Sequence, residues 1–486
     1  MFPTPRSHKT NPGLQHAWIT QESESHVGNQ CQYFTGNLHV KWRMLRFLWE
    51  NIHLLLSDLW RSVRLSELRS SCGLAFRCTL PAHVRKIDLN NFKVAHSGTA
   101  RAINRRIVLN LIRRHEPISR ATLARRSGLQ RSTVSVITEQ LIAENWVVEG
   151  ASGSLPRGRR PTFLHLNQNR IGIIGVDIQP GRTTLGVAGL DSQLLTQEYM
   201  PTGSDPAEFI AKLTRRIVDL VRAYPKDRYE GVGISLPGRV NARSGRVFFL
   251  PNLGWGEIDL KTPLERATGL HVELENAANA CALAEVWSGQ HTQSSVNLVA
   301  VTVSEGIGVG MVLNGQLVQG STGAAGEFGH VSLDANGPQC RCGSRGCWEV
   351  LASNSAAIRY YSQSASTRKG EAGSKSDMAT LAFPDMLRLV EQGDARACTA
   401  LDQMAQHLGR GIAMLVTGLA PDVVVVVGEV TRVWSRVGPI VQAAVRSWSF
   451  TGAAPRIVAT NSDALPRLRG TFALVLQKHF GAPFIA

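Results

Sequence analysis

No stretch of this 486-residue chain offers about twenty uninterrupted apolar residues, the length that crosses a bilayer as a helix. The most hydrophobic early run, Met44 to Trp60, is broken by Arg46, Glu50, His53 and Asp58, so the expectation is a cytoplasmic protein with no membrane partner. Cysteine is sparse as well: eight in a chain of this length do not make a disulfide framework. Acidic residues are in short supply. The 37 Asp+Glu against 53 Lys+Arg leave a formal charge of +16, which favours a polyanionic partner. Between Ser97 and Arg170 lysine is missing altogether, and thirteen arginines face four glutamates there. What the chain does have is 43% apolar residues and 45 glycines, enough for two or three packed domains and too apolar for disorder.

Residues 1–95 carry little turn punctuation and no evident core. The amphipathic stretch Trp42 to Leu68 is explained by ordinary packing, and the extension reads either as a disordered accessory arm or as the product of a start placed too far upstream. No role is assigned to it. From Ala100 the period becomes helical, with Ile103, Ile107 and Leu111 on one face and Arg105, Arg106, Arg113 and Arg114 displayed elsewhere. Pro117-Ile118-Ser119 breaks that helix. Ser119 is placed to cap a short helix from Arg120 to Ser127 that stops at Gly128. A longer helix follows from Gln130 to Asn145, burying Val134, Ile137 and Leu141. Two strands around a basic, glycine-rich loop then make a wing.

Short helix, glycine turn, longer helix is the pattern of a helix-turn-helix. Reading base edges in the major groove requires small hydrogen-bonding or guanidinium side chains at the start of the second helix, where bulk would prevent close approach. Gln130, Arg131, Ser132, Thr133 and Ser135 meet that requirement. The arginines of the first helix and the wing are expected near the phosphate backbone, and Arg159 and Arg160, beside a glycine, suit a minor groove. Double-stranded operator DNA is the partner this segment implies.

His330, Cys340, Cys342 and Cys347 place one imidazole and three thiols within a short glycine-rich stretch, a set able to close a tetrahedron around Zn²⁺. Four protein ligands leave no open position, so the metal would be structural. Cys281 and Cys398 lie outside the cluster and read as small core residues.

Ala325-Gly326-Glu327-Phe328-Gly329-His330, the C-x-C-G-x-x-G-C run and Trp348-Glu349 resemble the signature of the ROK family of repressors and sugar kinases. The resemblance implies a multidomain chain: a winged helix-turn-helix over 97–167, then a two-lobed α/β actin-like (ribonuclease H-like) sugar-kinase fold over 171–486, with a zinc loop at 329–349. It also implies zinc on His330 and the three cysteines, and sugar contacts from Glu327, His330 and Glu349. Asn252 and Asn276 sit in segments similar to the family's sugar-contacting loops.

Phosphoryl transfer needs a general base at the acceptor hydroxyl and glycine loops for the nucleotide phosphates. Where the family's kinases carry an aspartate base, this chain reads Asn276-Ala277-Ala278-Asn279, and alanine takes no proton. Pro180 stiffens and removes a donor from the loop after Asp177, while Glu305 sets a carboxylate in the second loop. The expectation is a non-catalytic sensor that binds a sugar or sugar derivative, in a homodimer or homotetramer presenting paired wings to a pseudo-palindromic operator. An active ATP-dependent kinase with a DNA-binding arm, and a scaffold without DNA function, are the competing readings.

Overall fold

The computed structural model describes residues 97–152, 162–242, 244–250, 253–288, 297–320, 323–366, 381–448 and 455–481. These all belong to one unit, Ile87–Ala486. The extension 1–95 lies outside the described residues.

The first module starts with α1 (Ser97–His115), a two-residue strand β1 (Ile118–Ser119), α2 (Arg120–Ser127) and α3 (Arg131–Ala143). Strands β2 (Val147–Ser152) and β3 (Thr162–Leu166) complete it. Ser119 is extended, and its Oγ accepts the Thr122 N–H at 3.2 Å, satisfying one of the orphan donors at the start of α2. Gly128, at φ 72°, ends that helix in the left-handed region where glycine carries no Cβ penalty. Strand β3 is central, paired antiparallel with both β1 and β2. The β1 pairing corrects the reading of Ile118-Ser119 as a simple break. Ile118 packs into the module's core with Leu123, Val134, Ile137, Leu141 and Trp146.

Helix α1 also departs from expectation. Its buried stripe is Val108, Leu109 and Ile112, while Ile107 is 39% exposed. Leu111 packs against the same core, so the period read from the sequence caught only the edge of the buried face.

Two five-stranded sheets follow, built the same way. In the first lobe β4 (Ile171–Ile178), β5 (Gly181–Ala188) and β6 (Leu194–Thr202) form an antiparallel meander, followed by α4 (Pro206–Ala223). Strand β7 (Arg228–Leu236) returns parallel to β4. A small sheet of β8 (Arg239–Asn241), β9 (Arg246–Phe249) and β10 (Ile258–Asp259) precedes α5 (Lys261–Thr268). Strand β11 (Val272–Asn276) then adds parallel to β7 and runs directly into α6 (Ala277–Ser288).

The second lobe repeats the order. Strands β12 (Leu298–Val303), β13 (Ile307–Leu313) and β14 (Gln316–Leu317) form the meander. The helices α7 (Trp348–Ala352), α8 (Asn354–Ser366), α9 (Phe383–Glu391) and α10 (Ala395–Leu419) come next. Strand β15 (Val423–Val427), five consecutive buried valines, lies parallel to β12. After α11 (Trp434–Trp448), β16 (Arg456–Ala459) lies parallel to β15. Covered parallel strands bury both faces, which is why they read as unbroken apolar runs. Among the described residues no helix is long and apolar enough to cross a membrane.

The last helix, α12 (Pro466–Phe480), returns to the first lobe and packs between its sheet and α6. At Gly470 a Cβ would lie 1.9 Å from the Ala280 carbonyl oxygen, so only glycine permits this crossing. The C-terminal end of α12 reaches the first module. Asn110 Nδ2 donates to the Phe480 carbonyl at 2.8 Å, and Trp146 lies against the His479 ring at 4.4 Å. Arg113 donates to the Trp287 carbonyl at 2.9 Å while its guanidinium covers that indole at 4.2 Å.

Beside this junction the Glu230 carboxylate meets His479 Nε2 at 2.7 Å, Arg228 Nε at 2.6 Å and Lys478 Nζ at 3.3 Å. Burial pushes this carboxyl up, but the hydrogen bonds and charges of His479, Arg228 and Lys478 outweigh it and bring the pKa down to about 2. A folded value below the unfolded one stabilises the fold fully above the ordinary glutamate range and is lost as pH falls toward 2. Glu230→Gln is therefore expected to lower neutral-pH stability by up to about 3 kcal/mol. In thermal unfolding over a pH series, its deficit against wild type should shrink below pH 4.5 and close near pH 2.

Candidate functional sites

After β14 the chain makes one 3₁₀ turn, Glu327–His330, that rests on β13, and then folds into a tight knuckle. Bridges pair Ser332 with Cys347 and Gln339 with Arg345. Backbone bonds close the turn, with Cys340 N–H donating to the Ser344 carbonyl at 2.8 Å and Gly346 N–H to the Pro338 carbonyl at 2.8 Å. The donor atoms of His330, Cys340, Cys342 and Cys347 thereby converge within 4.8 Å of one another. Cys342 Sγ is 3.6 Å from Cys347 Sγ, and Cys340 Sγ is 3.6 Å from His330 Nδ1. A tetrahedral cation with metal–sulfur bonds of about 2.3 Å needs donor separations of about 3.8 Å, so the set fits a metal ion. Electrostatics point the same way. Burial, together with the adjoining Cys342 and Cys340, pushes the Cys347 thiol up to about 12, whereas the Ser344 backbone N–H holds Cys342 below the usual thiol range. A cation at the centre removes that crowding, because it favours the thiolate form.

The knuckle positions two further candidates. Cys347 leads directly into α7, where the buried Trp348 indole donates to the His407 carbonyl at 3.1 Å and anchors the helix. The next residue, Glu349, accepts the Ile307 N–H at 3.2 Å. Nδ1 of His330 faces the cysteines, and its other nitrogen, Nε2, lies 3.9 Å from Glu327 Oε2. Asn276 stands at the junction of β11 and α6, where its Nδ2 donates to the Gly238 carbonyl at 2.6 Å and its Oδ1 accepts the Ala278 N–H at 2.8 Å. Strand β8, which follows Gly238, packs its Val240 carbonyl against Gly323, just ahead of Glu327. Asn252 lies outside the described residues.

Sequence reasoning missed several groups here. Glu275 is buried and is pushed up by that burial. Its Oε1 accepts from Asn279 Nδ2 at 3.0 Å and its Oε2 from Gln319 Nε2 at 2.5 Å, which ties the end of β11 to the segment after β14. Asp177 Oδ1 accepts from Ser235 Oγ at 3.1 Å, its Oδ2 from Gln179 Nε2 at 2.5 Å, and Arg467 Nε stands 3.6 Å from the same Oδ2. Glu305 accepts from Ser355 Oγ at 2.7 Å. Only the adjacent charge in the Asp177 and Glu305 loops was visible in sequence, because Arg467 and Ser355 arrive from distant elements. Cys281 is fully buried and Cys398 half-buried, both away from the cluster.

In the first module Gln130, Arg131 and Ser132 are exposed at the start of α3, and Thr133 and Ser135 are half-buried. Arg159 and Arg160 lie outside the described residues. The arginines of α1 differ from expectation. Arg105 pairs with Glu144 at 2.5 Å, Arg106 donates to the Lys478 carbonyl at 3.2 Å, and Arg113 holds Trp287. That helix faces α12 and the α3–β2 turn, so these guanidinium groups meet carbonyls and a carboxylate of the same chain, Arg105 and Arg106 at the surface and Arg113 part-buried. Arg120 is half-buried and likewise committed, bridging Thr138 Oγ1 at 3.1 Å and Glu149 Oε1 at 2.6 Å to pin α3 against β2.

The family model described as ROK family matches residues 173–478. The xylose repressor of Bacillus subtilis (strain 168) is 30% identical over 338 residues, covering 68% of this chain and 83% of that protein. The DNA-binding transcriptional dual regulator NagC of Escherichia coli (strain K12) is 25% identical over 390 residues, covering 79% of this chain and 94% of that protein. Among solved structures, a ROK-family transcriptional regulator, homolog of the E. coli MLC protein, is 26% identical at a TM-score of 0.68, covering 78% of this chain and 98% of its own. A ROK-family glucokinase from Streptomyces griseus, solved with glucose and AMPPNP, is 27% identical at a TM-score of 0.57, covering 63% of this chain and 99% of its own.

If the knuckle holds a metal, the purified protein should carry about one equivalent per chain by elemental analysis, and Cys342→Ser should lose most of it. The same variant should unfold at least about 5 °C lower than wild type.

Proposed function

Because this chain belongs to the ROK family, we propose that it is a DNA-binding transcriptional repressor of carbohydrate-metabolism genes, controlled by a sugar or sugar derivative bound in a non-catalytic sugar-kinase fold. The observation that carries the reading is the helical module of residues 97–167, seated on the end of α12, ahead of the two-lobed domain of 171–486. The ROK regulator covers 78% of the chain and the ROK glucokinase 63%, a difference the size of that module.

In this reading the module is a winged helix-turn-helix. Gln130, Arg131, Ser132, Thr133 and Ser135 on α3 read base edges, and Arg159 and Arg160 enter the minor groove. Asn252, Asn276, Glu327, His330 and Glu349 hold the sugar hydroxyls by directed hydrogen bonds. Zn²⁺ on His330, Cys340, Cys342 and Cys347 supplies cross-linking of the knuckle. The fixed His330 then presents Nε2 toward Glu327, and Cys347 sets the start of α7 and so the place of Glu349. The protein works in the cytoplasm as a homodimer or homotetramer, whose symmetry matches a two-fold operator.

Catalysis is unsupported by the groups present. Ala277 offers no base at the N terminus of α6. Both Asp177 oxygens already accept hydrogen bonds and Arg467 stands against one of them, so the carboxylate is committed inside the protein. Glu305 sets a negative charge where phosphate would approach. Sugar binding instead shifts the balance between two arrangements of the lobes, and α12, with Arg467 at the cleft end and Phe480 at the module, carries the difference to the DNA-reading helix.

A thermal-shift series over sugars, beginning with xylose and N-acetylglucosamine, tests the sensor. One class should raise the unfolding temperature, and Glu327→Gln or Glu349→Gln should weaken that binding at least about tenfold. A coupled ADP-release assay with the same sugars should show no ATP-dependent turnover; turnover abolished by Glu327→Gln would establish the kinase instead.

A further inference from the structure

The exposed face of α3 carries one apolar side chain among polar ones. Val134, Ile137 and Leu141 are buried as the helical period requires, but Val136 is 52% exposed. It sits one turn beyond Ser132 and one turn before the exposed Glu139, on the same face of the helix. It also lines a shallow groove between α3 and α1, together with Ser132, Thr133, Ala100, Asn104 and the exposed Arg101.

An isolated exposed valine is ordinary on a protein surface. This one shares its groove with the exposed Arg101, in the segment where thirteen arginines face four glutamates. Those charges complement a polyanion and oppose a basic or purely apolar partner. Within the major groove the purines offer N7, O6 and N6 and cytosine offers its amino group; thymine alone presents a methyl. An aliphatic side chain against a polar edge leaves that edge without a partner, so thymine is the base that Val136 suits.

We propose that Val136 is a specificity-determining residue whose γ-methyl groups pack on the C5 methyl of one thymine in each half-site. Ser132 and Thr133 lie beside it to bond neighbouring base edges or phosphate, and Arg101 meets the phosphate strand across the groove. Glu139, a turn further on, repels phosphate and makes Val136 the last base contact along the helix. This inference rests on the reading of α3 as the DNA-recognition helix.

The test uses the full chain and a randomised duplex DNA pool. Wild-type protein should enrich a two-fold site with an invariant thymine in each half. Replacing that thymine by deoxyuridine, which removes only the methyl, should weaken binding about fourfold per half-site, the value of one buried methyl-sized group. Val136→Ala should lose the same factor and become indifferent to thymine against deoxyuridine, with its other base preferences unchanged. A Val136→Ala protein that keeps wild-type affinity and still prefers thymine overturns the proposal. So does one whose affinity falls equally on every sequence or whose oligomeric state changes, which would put Val136 in a protein contact. Enrichment of no sequence by the wild type would instead overturn the DNA-binding reading itself.

Discussion

The fit of α12 into the first lobe is the constraint on which the other parts depend. Its fifteen residues lie between the sheet of that lobe and α6, and the approach at Gly470 is so close that the backbone of α6 touches it directly. Close-packed interiors do not deform gradually; they move as units or change packing. One end of this rod stands at Asp177 through Arg467. The other reaches α1 and Trp146 through Phe480 and His479. The module's own core continues into α12, with Leu468, Phe472 and Leu476 in the same apolar cluster as Ile112 and Leu164. Rotation of the lobes would thus be felt at α1 without any flexible linker carrying it.

The knuckle solves a different problem. A long loop between a strand and a helix has few apolar contacts with which to hold a precise shape. Here four metal-type donors converge within a short segment, flanked on either side by Glu327 and Glu349. His330 faces both ways, one ring nitrogen toward the thiols and the other toward Glu327. Trp348, locked by its bond to the His407 carbonyl, passes the knuckle's position into α7 and the second-lobe core. The donor cluster and the packing of the second lobe are therefore coupled through adjacent residues.

The carboxylates of Asp177 and Glu305 are satisfied by partners within the protein. Asp177 accepts from Ser235 and Gln179, and Glu305 accepts from Ser355. Glu429 is pushed up, first by burial and then with a contribution from the charge of Glu305, and Arg432 and Arg467 pull it back.

Features set by neighbours in the chain were legible in the sequence. The metal-type cluster, the Ser119 cap with its Gly128 stop, and the buried strand at Ile171 all depend on residues a few positions apart, where spacing and periodicity carry the information. The polar start of α3 was legible for the same reason. Tertiary structure alone decided the rest. Which face of α1 is buried, what Arg105, Arg106 and Arg113 pair with, and how Asp177 meets Arg467 follow from segments brought together from distant parts of the chain. The two matching sheets likewise come from pairing order, and pairing order is a long-range property that no local period encodes. Val136 lies on that boundary: its type was plain in the sequence, but its exposure was settled by the way α1 and α3 pack.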